Sequence, residues 1–121
     1  MAAARKNFEI EQGATFDPIL TLKETETGDP IDITSWDFRM QIREVDQNGA
    51  VIVELTVSNS RIVILDASGG KFQLVITDTI TDTFTEAQFE SAVYDLEAIE
   101  SGGAVRRLLE GNVTLSLNIT R

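Results

Sequence analysis

The chain has 121 residues with 10 basic and 20 acidic side chains, a formal net charge of −10, and neither cysteine nor histidine. One domain of this size buries about two-thirds of its unfolded surface and needs no staple. The missing residue types exclude disulfides, thiolate sites, the Ser-His-Asp constellation and nearly every zinc site, and the acidity argues against nucleic acid or an anionic membrane as partner.

In chain order, Met1–Lys6 reads as a short leader with no hydrophobic segment behind it, so not a secretory signal. Residues 1–7 are assigned to an N-terminal arm, frayed or docked on a neighbouring subunit, and residues 8–121 to a single domain. Phe8 and Ile10 alternate with Glu9 and Glu11, and Gln12-Gly13 breaks the run. Phe16, Leu20 and Leu22 share the next face, where Pro18 predicts an edge strand or an irregular start. Gly28-Asp29-Pro30 punctuates a turn.

The clearest strand is Trp36–Arg43, with Trp36, Phe38, Met40 and Ile42 on a buried face and Asp37, Arg39, Gln41 and Arg43 on a wet one. Asp46-Gln47-Asn48-Gly49 predicts a hairpin turn, because Asn-Gly accepts positive φ. It also has a trace of a calcium loop, but the twelfth position, where a bidentate Glu belongs, is Val57. Strands at 51–57, 61–66 and 72–76 follow. The Ile62–Leu65 run is among the longest apolar runs and far too short to cross a membrane as a helix.

One segment departs from period two. Thr85 and Gln88 have capping-box spacing, flanked by Phe84 and Phe89 at hydrophobic-staple spacing, which predicts a short helix at about 85–91 closing one end of the domain. The final hairpin runs from Val93 to Ile99, turns at Glu100–Gly103, and returns from Ala104 to Ile119. Val113, Leu115, Leu117 and Ile119 require burial, so this strand belongs in the sheet. Many short strands with Gly, Asn and Asp punctuation predict an all-β fold, a compact antiparallel β-sandwich, immunoglobulin-like or related.

Tyr94, the only tyrosine, opens a strand after a helical crossover and has the setting of a tyrosine corner, its phenol bonded to backbone. Asp78, Asp82, Glu86, Glu90, Asp95, Glu97 and Glu100 form an acidic stretch without an intervening base; their spacing is that of a solvated face. Arg106-Arg107 is the basic doublet inside the domain and predicts cross-strand pairing with those acids. Arg106, Arg107, Glu86, Glu90 and Glu97 are the candidate interface residues. No catalytic, cofactor or metal residue is assigned, and an enzyme is not expected. The sequons Asn112-Val113-Thr114 and Asn118-Ile119-Thr120 are chance matches.

Four segments, Gln12-Gly13-Ala14-Thr15-Phe16, Ile33–Arg43, Tyr94-Asp95-Leu96 and Leu109-Glu110-Gly111-Asn112-Val113-Thr114, give the chain a resemblance. From Phe8 to Arg121 it resembles a family of small proteins encoded among the tail and virion genes of tailed bacteriophages. More distantly it resembles the N-terminal β-domain of phage baseplate proteins that carry receptor-binding parts. The resemblance implies a virion structural protein, made in the host cytoplasm: a tail adaptor, baseplate or fibre-attachment component. Its partners would be other virion proteins and copies of itself in a symmetric assembly, without a cofactor. A chain ending in a strand would offer that strand's edge to a neighbour. The alternatives are a capsid decoration protein and a carbohydrate- or calcium-binding module.

Overall fold

A computed structural model describes residues 3–46 and 48–120. Among the described residues nine strands run in chain order: β1 (Ala4–Arg5), β2 (Phe8–Glu11), β3 (Ile19–Thr21), β4 (Asp37–Arg43), β5 (Val51–Thr56), β6 (Ile62–Asp66), β7 (Lys71–Leu74), β8 (Val93–Ile99) and β9 (Val105–Ser116). They form a six-stranded sheet ordered β1-β9-β8-β4-β5, in which β2 also pairs with β9, and a three-stranded sheet ordered β3-β7-β6. The two sheets pack as a compact β-sandwich. Phe38, Met40, Ile42, Leu55 and Leu96 of the large sheet and Ile62, Phe72 and Leu74 of the small one are buried between them. Phe38 and Phe72 stack across the core with ring centroids 4.7 Å apart.

The N-terminal segment departs from the expected arm. Residues Ala4 and Arg5 pair with Leu109 and Glu110, and Phe8–Glu11 with Val113–Ser116, all parallel to β9. Met1 and Ala2 of the assigned arm lie outside the described residues. The sandwich is therefore not wholly antiparallel. β9 is an interior strand, with β8 on one side and β1 and β2 on the other, so its edge is not free for a neighbour. Burial in this strand also stops early: Val113 is buried and Leu115 partly so, whereas Leu117 and Ile119 are exposed.

Two residues make the parallel pairing possible. A Cβ at Gly111 would overlap the carbonyl oxygen of Lys6, so a glycine within the strand lets the N-terminal backbone come close. The Tyr94 phenol, in the same cross-strand row as Gly111, donates to that carbonyl at 2.6 Å. The phenol-to-backbone bond of a tyrosine corner is present, but its acceptor comes from the far end of the chain rather than from the preceding loop. Burial pushes the Tyr94 pKa up to about 12, offset in part by Arg5 and reinforced by Glu110. The phenol therefore remains a donor across the accessible pH range.

The capping box closes as expected. Gln88 N donates to Thr85 Oγ1 at 3.4 Å and Thr85 N to Gln88 Oε1 at 2.8 Å. The helix is a 3₁₀ turn, Glu86–Phe89, with Phe84 and Phe89 in contact at 5.1 Å. A second helical turn, α1 (Asp78–Thr81), was not foreseen. It is anchored by the buried Thr81, whose hydroxyl donates to the Ala14 carbonyl at 2.8 Å. Pro18 has the predicted effect: β3 is an edge strand that starts one residue after it.

Trp36 corrects another expectation. Ser35 takes φ 65° and the strand starts at Asp37, so Trp36 lies before the regular alternation and is only half-buried, beside Phe38. At the β4–β5 hairpin, Gly49 N donates to the Asp46 carbonyl at 3.0 Å, closing the expected turn around Gln47, which itself lies outside the described residues. The reason for glycine differs from the expected one. Gly49 is not at positive φ; a Cβ there would overlap the Glu44 carbonyl, and Val45 carries the positive φ of 67° instead.

Candidate functional site

Alternation in β4, β8 and β9 places mostly polar side chains in cross-strand rows on the outer face of the large sheet. Thr56, Arg39, Glu97 and Arg107 make one cross-strand row, and Glu54, Gln41, Asp95 and Glu110 the next. The second row ends at Arg5, which pairs with Glu110. A third row contains Val51, Arg43, Val93 and Asn112. A bulge keeps the rows in step. Leu96 pairs with Leu109 and Glu97 with Arg107, so Leu108 is the extra residue and joins the core rather than the surface.

Gln41, Arg43, Asp95, Glu97, Arg107 and Glu110 from these rows line an open groove of about 740 Å³. Arg39 Nε meets Glu97 Oε1 at 2.7 Å, and Arg107 Nε meets Asp95 Oδ2 at 3.4 Å. Arg43 Nη2 donates to Gln41 Oε1 at 2.7 Å, and Gln41 Nε2 in turn donates to Glu54 Oε2 at 2.7 Å. Asp95 faces Glu110 directly across the strands, an unfavourable pairing of like charges. Partial burial, then the neighbouring Glu97, raises the Asp95 pKa; Arg107 opposes the shift and Glu110 adds to it.

The candidate interface residues do not form one patch. Glu97 and Arg107 are opposite each other within the groove. Arg106 projects at the hairpin end and bonds Glu100 at 2.7 Å. Glu86 opens the 3₁₀ turn and Glu90 caps its end; Glu90 lines a small depression with Val93 and Asn112. Val93 and Ile99 are the two ends of β8, about 20 Å apart at ~3.3 Å per residue, so these acids and Arg106 lie at opposite ends of the sandwich. The expected cross-strand ion pairs of Arg106 and Arg107 are thus formed. They are solvent-exposed pairs, each contributing about 0–1 kcal/mol.

The acids of residues 78–100 are divided among α1, the 3₁₀ turn, the groove and the hairpin tip. Among the described residues, no group of three or more Asp and Glu side chains is placed to hold a metal ion. What this face can offer chemically is a lattice of paired charges that reads a complementary charge pattern.

The sheet edges differ from one another. On β5 the Asn59 side chain acts as a short strand: Oδ1 accepts from Thr56 N at 2.9 Å and Nδ2 donates to the Glu54 carbonyl at 3.0 Å. Arg61 Nη1 donates to the same carbonyl at 3.1 Å. Among the described residues β6 pairs with β7 alone. Val63 and Leu65 on its outer face are exposed, as is Ile19 in the row Ile19–Gln73–Val63. The sequence carried a signal for this strand: four consecutive apolar residues, Ile62–Leu65, mean a strand apolar on both faces.

No family model matches the chain, and no curated protein is similar to it.

Proposed function

We propose that this chain is a non-enzymatic structural component of a tailed-bacteriophage particle, built into the tail, baseplate or fibre attachment in several copies. The observation that carries the reading is the pairing of the N-terminal segment with β9 through Gly111 and Tyr94. Three of the four segments that resemble phage tail and virion proteins supply this device. Leu109–Thr114 contains Gly111 and the paired strand, Tyr94-Asp95-Leu96 the phenol, and Gln12–Phe16 the turn that releases the chain from β2. Gln12 secures that turn, donating from Nε2 to the Phe84 carbonyl at 2.8 Å and accepting from Asn118 N at 3.1 Å.

The surface supports the same reading. A groove of paired charges sets orientation and on-rate at a protein contact. A net charge of −10 keeps such a chain apart from its copies until it meets a partner.

Mass spectrometry of purified virions, with and without tails, tests the proposal. The chain is expected in tailed particles and missing from tailless heads. Absence from both overturns the structural reading. Presence in tailless heads moves the assignment to capsid decoration.

A further inference from the structure

We infer that Asn48 is a site of spontaneous deamidation, and that its isoaspartyl product frees Arg43, a residue lining the groove of the large sheet. The inference goes beyond the particle assignment and does not depend on it.

The reaction joins the Gly49 nitrogen to Asn48 Cγ. The new N–Cγ bond closes a cyclic imide, the Cγ–Nδ2 bond breaks, and the Gly49 proton leaves with Nδ2 as ammonia. Water then opens the ring. Attack at Cγ leaves an aspartyl residue; attack at the main-chain carbonyl leaves an isoaspartyl residue, with the backbone rerouted through the side chain. Glycine lets its nitrogen come this close because it has no Cβ. The fold cannot dispense with it, since a Cβ at Gly49 would overlap the Glu44 carbonyl. The turn therefore keeps a labile pair that no larger residue at its second position could replace.

The structure separates Asn48 from the other asparagines. Asn7, Asn112 and Asn118 precede Phe8, Val113 and Ile119, whose side chains crowd the attacking nitrogen. Asn59 precedes the smaller Ser60, but its carboxamide is fixed. Oδ1 accepts from Thr56 N at 2.9 Å and Arg61 N at 3.0 Å, and Nδ2 donates to the Glu54 carbonyl at 3.0 Å. Asn48 is exposed, and its backbone N donates to Asp46 Oδ1 at 2.8 Å. Among the described residues its carboxamide has no hydrogen bond, so Cγ is free to turn toward Gly49. The Gly49 N–H donates to the Asp46 carbonyl at 3.0 Å. That bond must open before the attack, so local opening of the hairpin tip gates the rate.

The consequence reaches the groove through one residue. The Gly49 carbonyl accepts from Arg43 Nη1 at 3.0 Å, while Arg43 Nη2 and Nε hold Gln41 Oε1 at 2.7 and 3.1 Å. Glu44 N donates to the Ala50 carbonyl at 2.9 Å and closes the base of the turn. An isoaspartyl residue inserts an extra backbone carbon between these contacts. Loop length fixes register in a hairpin, so the Glu44–Ala50 and Arg43–Gly49 bonds are lost together. The aspartyl product keeps the backbone and adds only a carboxylate near Asp46.

The test incubates the folded full chain in mildly alkaline buffer and maps products by peptide mass spectrometry, with electron-transfer fragmentation to tell isoaspartyl from aspartyl chains. Asn48 should convert about tenfold or more faster than Asn59, a barrier difference of ~1.4 kcal/mol, at a rate that rises with hydroxide. In urea, where its hydrogen bonds are gone, Asn59 should close part of that gap. The separated isoaspartyl chain should lose the slow exchange of the Glu44 amide and the distinct Arg43 guanidinium signals in NMR spectra. Asn48→Asp, which carries the charge without the extra carbon, should retain both. A chain that stays unmodified, or one that converts at Asn59 as fast as at Asn48, overturns the site. An isoaspartyl chain that keeps both signals, or Asn48→Asp that loses them, overturns the link to Arg43.

Discussion

Gly111→Ala is the most informative single change. The backbone at Gly111 is not at positive φ, so alanine is conformationally acceptable; the obstacle is the Lys6 backbone, whose carbonyl carbon would be 2.8 Å from the new Cβ. Either the core yields or residues 4–7 detach. Detachment removes the β1–β9 ladder and three further hydrogen bonds: Lys6 N to the Glu110 carbonyl, Asn112 N to Asn7 Oδ1, and Tyr94 Oη to the Lys6 carbonyl. At about 1 kcal/mol net per bond, this route costs ~3 kcal/mol or more, less the chain entropy recovered by the freed residues. Overpacking costs ~1–3 kcal/mol by the other route. For 121 residues, unfolding entropy of ~2.1 cal/mol/K per residue makes each kcal/mol worth about 4 °C, so Tm should fall by roughly 4–12 °C. The control is the same substitution in a chain lacking residues 1–7. There the obstacle is gone, and alanine should be neutral or stabilising by ~0.5–1 kcal/mol, because glycine is the weaker strand residue. Thermal melts of the four proteins decide it. An equal loss in both backgrounds would refute the argument that Gly111 exists to admit the N-terminal strand.

Two further outcomes are expected. Asp95 has a folded pKa above its ordinary 3.8, so its contribution to stability is fully present below that value and is lost as pH rises through the folded pKa. Asp95→Asn should therefore give a small rise in Tm at neutral pH that disappears in melts run below the ordinary value; a fall at neutral pH would mean the Arg107 pair dominates. Trp36→Ala should cost about 1–3 kcal/mol, short of the ~3–5 kcal/mol of a fully buried aromatic, and Trp fluorescence should be partly open to aqueous quenchers; complete protection from quenching would place the ring in the core.

Features with a local cause were legible. The alternation of Phe38, Met40 and Ile42 defines β4, and Thr85-Gln88 with Phe84 and Phe89 defines the 3₁₀ turn, because each signal lies within a few residues of its effect. Features with a distant cause were not. Nothing within Ala4–Glu11 says that it will run parallel to residues about a hundred positions later; the available clue was Gly111, a glycine inside a strand pattern, and it lies at the other end of the pairing. Trp36 was expected to be mostly buried; it packs against the core on the expected face but is only half-buried, because it precedes β4 rather than lying within it. The candidate interface residues were chosen by charge alone, and sequence spacing could not reveal that Glu90 and Arg106 flank opposite ends of β8. The apolar residues of β6 were visible, but only the sheet order showed that, among the described residues, this strand pairs with β7 alone.

The parallel pairing of β1 and β2 with β9 has a mechanical consequence. Partner positions in the two strands advance together, from Ala4 beside Leu109 to Glu11 beside Ser116. A tension applied before β1 and after β9 therefore pulls the two strands past each other along their own axes. The ladder bonds lie across that direction and share the load, whereas in a hairpin pulled from its open end they would break one at a time. Extension must rupture the ladder together with the Tyr94–Lys6 bond before β8 or β4 feels the force. The domain is thus wired to bear axial load between its two ends, with the sandwich core behind the clamp.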